Sequence, residues 1–197
     1  MQAQAPAQMQ VQVQVRPPQK KSASGAFIEF VVVVAVAIAL AWFITSFVVK
    51  PYEIPSESME DTIMTGDRVL SERISYMGSS PAQGDIVTFT DVEDPTRVLI
   101  KRVIATAGQQ VDLKDGSVYV DGSKLDEPYA DGKQSLPLVN ERDISYPYTV
   151  PEGYIWVMGD NRTNSSDSRY FGAVPVSNVT GHAFFRYWPL DRIGGLG

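Results

Sequence analysis

Arg97-Val98-Leu99-Ile100-Lys101-Arg102-Val103-Ile104-Ala105 is the stretch on which the fold turns. It is dominated by β-branched and aliphatic residues and reads as a strand, yet it carries two adjacent cations. Successive side chains of a strand point to opposite faces, so Lys101 and Arg102 cannot both be solvated on one side. Two readings stay open from these residues alone: one cation points inward, or the segment is a sheet edge guarded by charge.

Runs of the same character lie on both sides, from Arg68 to Ile74, Asp85 to Thr90, Gln110 to Leu113, Ser117 to Val120, Tyr154 to Met158 and Val179 to Trp188. Turn residues separate them, and Asp115-Gly116 and Asp121-Gly122 read as tight hairpin turns. No long run after Lys50 has clear helical periodicity. The expected body is therefore mainly antiparallel β, a barrel or paired sheets. Asp126 to Tyr148 is polar, proline-containing and weakly patterned, and reads as a long surface connection.

Upstream, Phe30 to Val49 carries no charge, and twenty helical residues rise about 30 Å, the thickness of a bilayer's hydrocarbon core. This predicts one N-terminal transmembrane helix. Ala35-Val36-Ala37 and Ala39-Leu40-Ala41 have the small-x-small form of a signal cleavage site, but the apolar run continues past both to Lys50, longer than a cleaved signal's apolar region. Arg16, Lys20 and Lys21 precede the span and favour a cytoplasmic N-terminus. The expected organisation is a disordered cytoplasmic tail over residues 1–26, a transmembrane helix over 27–49 and an extracytoplasmic β-rich catalytic domain over 50–197.

The chain has 197 residues, room for one ordinary domain plus an anchor. It has no cysteine, which excludes disulfides, thiolate metal sites and cysteine nucleophiles together. A single histidine, His182, excludes a multi-histidine metal site. The net charge of -6 divides into about +3 on the tail and about -9 on the rest, an acidic body unsuited to nucleic acid.

Two further segments carry candidate chemistry. Ile54-Pro55-Ser56-Glu57-Ser58-Met59 follows the span within a few residues, so a nucleophile there would be confined near the membrane surface. Gly159-Asp160-Asn161-Arg162-Thr163-Asn164-Ser165-Ser166-Asp167-Ser168-Arg169-Tyr170-Phe171-Gly172 is a dense polar loop. It fails the calcium-loop pattern, with Arg162 at a ligand position and Phe171 where the closing glutamate belongs. Neither a metal nor another cofactor is expected.

Taken in order, the span, Pro55 to Met59, Gly84-Asp85-Ile86-Val87-Thr88-Phe89, Lys101-Arg102-Val103 and the loop from Gly159 to Gly172 resemble the bacterial type I signal peptidases. These are membrane-anchored serine proteases that cut signal sequences from exported proteins. The resemblance runs from about Phe30 to Trp188 and departs locally, at Asp61, Ile63, Ala105 and Ala107. It implies Ser58 as nucleophile and Lys101 as general base. It further implies Ser56 as a hydroxyl donor to the oxyanion, Ser165 as the group orienting the amine, and Asp167 paired with Arg169 to hold the loop.

Serine needs a partner that removes its proton during attack, and a free lysine, with a pKa near 10.4, is almost entirely protonated. Burial depresses a lysine by up to about 3 to 5 units, which brings it near neutrality. Leu99, Ile100, Val103 and Ile104 are the apolar neighbours expected to do this. The expected partners are the bilayer and preprotein signal peptides emerging from the export machinery, bound as extended segments with small residues at the cleavage site. The expected location is the bacterial plasma membrane, with the catalytic domain on its outer face. The competing reading from another class is an anchored β-rich binding or adhesion module without catalysis. Ile54, Met59 and Ile63 are read either as core or as apolar residues on which the body rests against lipid.

Overall fold

A computed structural model describes residues 23–138 and 144–196. The expected tail therefore lies outside the described residues, except for its last four positions. These belong to α1 (Ala23–Phe47), which starts earlier than the expected span and ends two residues before it. Within α1, Ser24–Ile44 is long and apolar enough to cross a membrane, with a mean hydropathy of 2.8. The helix stops where Val48-Val49-Lys50-Pro51 follows, because β-branched residues and the position before proline both favour extended backbone.

The body that follows α1 is β, in two antiparallel sheets. The larger is built from β1 (Val49–Glu53), β2 (Arg68–Glu72), β3 (Ile86–Thr90), β4 (Val98–Thr106), β9 (Tyr154–Met158), β10 (Val174–Pro175), β11 (Val179–Trp188) and β12 (Gly194–Gly195). Its order is β1-β2-β11-β3-β4-β9-β10, with β12 also paired to β11. The smaller comprises β5 (Gln110–Lys114), β6 (Ser117–Val120), β7 (Ser123–Lys124) and β8 (Tyr148–Thr149), in the order β7-β6-β5-β8. Asp115-Gly116 and Asp121-Gly122 do turn hairpins, each pair holding positive φ at both residues, 51° and 74° in the first and 51° and 79° in the second.

The position of β4 decides the reading of its two cations. It lies between β3 and β9, with Val87 opposite Lys101, Ile86 opposite Arg102 and Met158 opposite Arg102 on the other side. It is not an edge, and Lys101 and Arg102 are both buried, at 3% and 2% exposure. Lys101 shares its face with Leu99 and Val103 and looks toward a cluster of Val87, Phe89, Val103, Val157 and Phe171. Arg102 shares the opposite face with Ile100 and Ile104.

The smaller sheet packs Val111, Leu113, Val118 and Val120 against Ile104, Trp156 and Met158 of the larger one. A third cluster joins Ile54, Met59 and Ile63 to Val69, Ile86 and Ile100, so these three are core residues and present no apolar surface to lipid. Their burial fixes the segment that carries the serines. The segment closes on itself, since Ile54 N–H donates to Asp67 O and Gly66 N–H to Ile54 O. The closing turn needs a glycine, Gly66 having a φ of +87°.

Candidate active site

The chain enters the site from β1. Ile54, Met59 and Ile63 plug into the core on either side of Ser58, so packing of its neighbours fixes the segment that carries the serine. Ser58 itself is 8% exposed, and the Nζ of Lys101 lies 2.8 Å from its Oγ. The amine's second partner is the carbonyl of Ile100, to which it donates at 2.9 Å.

Burial among apolar side chains pushes the Lys101 pKa down to about 8, against the smaller opposing pull of Asp167, Asp91 and Asp160. That depression is less than the near-neutral value expected from the residues alone. The difference has a physical source, because the carboxylates of Asp167 and Asp160 in the polar loop and of Asp91 after β3 lie close enough to favour the ammonium form. None of them is hydrogen-bonded to the amine: Asp160 and Asp167 are each engaged by an arginine.

Ser56 Oγ lies 3.4 Å from Ser58 Oγ, on the exposed side of the segment. Pro55, Ser56, Glu57, Ser58, Leu99, Lys101 and Phe171 line part of a cleft of about 480 Å³ that opens beside the serine. His182, the sole imidazole, sits elsewhere, with Nδ1 3.8 Å from Glu72 and its ring against Tyr76. It makes no hydrogen bond to Ser58 or Lys101 among the described residues.

The loop between β9 and β10 holds the serine segment from behind. Asn161 donates its backbone N–H to Ser58 O at 3.1 Å and its side-chain amide to Glu57 O at 3.0 Å. Asn164 donates to the Glu57 carboxylate at 2.9 Å. Gly159 leaves the space for this approach: a Cβ there would stand 2.3 Å from both Ser58 O and Ser165 Oγ.

Asp167 and Arg169 form a buried bidentate pair, with Nε and Nη2 each donating at 2.9 Å. Asp167 also accepts from Gly159 N–H at 3.0 Å and caps the short helix α2 (Ser168–Phe171), while Arg169 donates to Arg162 O at 2.8 Å. The pair thus ties the two ends of the loop together. Ser165, expected to orient the amine, has its Oγ buried beside Gly159, where it makes no hydrogen bond among the described residues.

The sequence pattern gives no partner for several residues of the site. Arg102 forms a bidentate pair with Asp160 at 2.9 and 2.8 Å, and Thr62 donates to the same carboxylate at 2.6 Å. Arg162 is fully enclosed and donates to Glu127, Ser135 and Gly159 O. Two adjacent cations in an apolar strand were the available signal for Arg102. Glu127 and Ser135 fall in the stretch read as a surface connection, which instead docks on the loop.

Comparison with known proteins finds one family model and several similar chains. The model of the family described as signal peptidase, peptidase S26, matches residues 27–188. A probable signal peptidase I-1 of Synechocystis sp. is 42% identical over 167 residues, covering 80% of this chain and 81% of that one. A signal peptidase I of Leptolyngbya laminosa is 40% identical over 166 residues, covering 80% and 78%. A solved signal peptidase I from Enterococcus faecalis V583 aligns with a TM-score of 0.42 at 30% identity, over 53% of this chain and 97% of that one.

Proposed function

The chain belongs to the signal peptidase family, peptidase S26, as a type I enzyme and serine hydrolase, and on that premise we propose that it cleaves preproteins by a Ser58–Lys101 dyad through an acyl-enzyme. The observation that carries this reading is the 2.8 Å separation of Lys101 Nζ and Ser58 Oγ in a buried, apolar setting. With a pKa of about 8, roughly one amine in ten is neutral at pH 7, against about one in several thousand for an ordinary lysine. The neutral amine accepts the Ser58 proton as Oγ attacks the scissile carbonyl carbon.

The developing oxyanion takes hydrogen bonds from the Ser58 N–H and the Ser56 hydroxyl. The protonated amine then gives its proton to the leaving amino group, releasing the mature protein. Water, deprotonated by the same amine, hydrolyses the ester and frees the signal peptide. Ser165, whose Oγ is buried beside Gly159, is assigned the role of orienting the amine, and the Asp167–Arg169 pair that of holding the loop.

Substrate is an extended signal-peptide segment with small residues at the cut, delivered by the export machinery and laid along the cleft. The apolar helix anchors the enzyme in the plasma membrane by a single pass, with Arg16, Lys20 and Lys21 on the cytoplasmic side and residues 50–197 on the outer face. A binding module without catalysis would have no use for a buried lysine beside a serine, since that arrangement costs stability. The test is cleavage of a preprotein by the wild type, Ser58→Ala and Lys101→Met. Both variants are expected to fold and to lose cleavage, and retained cleavage in either removes that residue from the dyad.

A further inference from the structure

Behind the loop that holds Ser58 lies a layer of two buried guanidinium groups, and its closing side is supplied by the excursion between the strands of the smaller sheet. Arg102 and Arg162 are each 2% exposed. Arg102 gives Nε and Nη2 to Asp160 and Nη1 to Gly84 O. Arg162 gives Nε to Gly159 O, Nη1 to Ser135 and Glu127, and Nη2 to Glu127 at 2.6 Å.

Tyr129 lies against both cations. Its ring centroid is 4.1 Å from the Arg102 guanidinium carbon and 5.7 Å from that of Arg162, and its hydroxyl donates to Glu127 at 3.1 Å. An aromatic face stabilises such a cation, more strongly where water is excluded. Arg102 neighbours Lys101 on β4, and the residues gripped by the layer, Gly159 and Asp160, run directly into Asn161, whose N–H holds Ser58 O.

We propose that Tyr129 and Glu127 are positioning residues for hydrolysis, setting the two arginines that hold the Gly159–Asn161 backbone and, through it, the distance from Ser58 to Lys101. This rests on the dyad reading above. Neither residue lines the cleft, so neither is expected to contribute to substrate binding. Loss of the ring lets the arginine layer and the Gly159–Asn161 turn relax, which lengthens the contact on which proton transfer depends and admits water to the amine.

The test uses the full chain in detergent micelles and a signal-peptide substrate with an alanine-x-alanine cleavage site. Activity is normalised to the folded fraction. Tyr129→Leu is expected to lower kcat about 10- to 100-fold with KM changed less than about twofold, a loss on the scale of an ångström's misplacement. The rising limb of its pH profile is expected to move upward, toward the ordinary lysine value. Tyr129→Phe keeps the ring over the cations and is expected to retain wild-type kcat and an unmoved limb.

A purely structural role would lower the folded fraction and leave both the normalised kcat and the limb unchanged, which would overturn the proposal. Loss of kcat in Tyr129→Phe would also overturn the stacking role; should Tyr129→Leu not fold, Glu127→Gln decides, a lowered kcat per folded molecule with a raised limb supporting the proposal and an unchanged kcat and limb overturning it. Ser58→Ala is measured alongside. If it still cleaves, the dyad reading fails; if it is inactive while Tyr129→Leu is unaffected, only the positioning role fails.

Discussion

Gly159→Ala is the substitution whose consequence can be worked most closely from the structure. The added methyl would stand 2.3 Å from Ser58 O and 2.3 Å from Ser165 Oγ, against an ordinary contact of 3.4–4 Å. The Ser165 side chain can rotate away, but Ser58 O is backbone and can move only with its residue. Relief therefore displaces the Ser58 backbone by about 1 Å or breaks the Asn161 N–H bond to it, and a misplacement of that size costs about 10²-fold in rate. Overpacking of this kind also costs roughly 1–3 kcal/mol of stability. The assay is kcat for preprotein cleavage per folded molecule, with the folded fraction taken from near-ultraviolet circular dichroism. A folded Gly159→Ala enzyme with wild-type kcat would refute the claim that Ser58 is held against Gly159 at the working distance.

The other predictions concern separate parts of the site. Ser56→Ala is expected to lower kcat by about 10²- to 10³-fold with little change in KM, as for loss of an oxyanion donor, and an unchanged kcat would remove Ser56 from that role. Because the Lys101 pKa is about 8 when folded and 10.5 when unfolded, the unfolded state binds more protons between these values, and Lys101 destabilises the fold fully below pH 8. Lys101→Met is therefore expected to raise stability in urea by up to about 3 kcal/mol at pH 7, with the difference fading as pH rises through 10.5; equal stabilities at pH 7 would contradict the burial argument. Asp167→Asn leaves Arg169 buried without its counter-charge and is expected to cost about 3–5 kcal/mol in the same assay; a loss under 1 kcal/mol would mean that the pair does not hold the loop.

Much of the fold was legible because strands buried on one or both faces carry a regular pattern. The runs from Tyr154 to Met158 and Val179 to Trp188 coincide with β9 and β11. β1 was hidden because Val48 and Val49 prolong the apolar composition of the helix, and only its pairing with β2 reveals the change to extended backbone. β8, β10 and β12 have two residues each, too few to show a period. The ambiguity at Lys101 and Arg102 was genuine, because exposure depends on whether a strand has neighbours on both sides, and that is settled by β3 and β9 from elsewhere in the chain.

At the site, Ser58 and Lys101 were legible through the family resemblance of the segments that carry them. Arg162's partner was not legible, since Glu127 is 35 residues away in a stretch whose polarity suggested solvent. Buried charge networks defeat pattern reading generally: the same side chains would mark an exposed surface if their partners were elsewhere. Ile54, Met59 and Ile63 show the converse, for apolar residues that follow a long apolar helix turned inward to fix the serine.

The pH dependence of kcat/KM in the wild type bears most directly on whether a neutral Lys101 amine activates Ser58. The account predicts activity that rises with pH through a single ionisation at about 8, the base being competent only when deprotonated. A limb centred at the ordinary lysine value of about 10.4, or a profile flat from pH 6 to roughly 9, would contradict it.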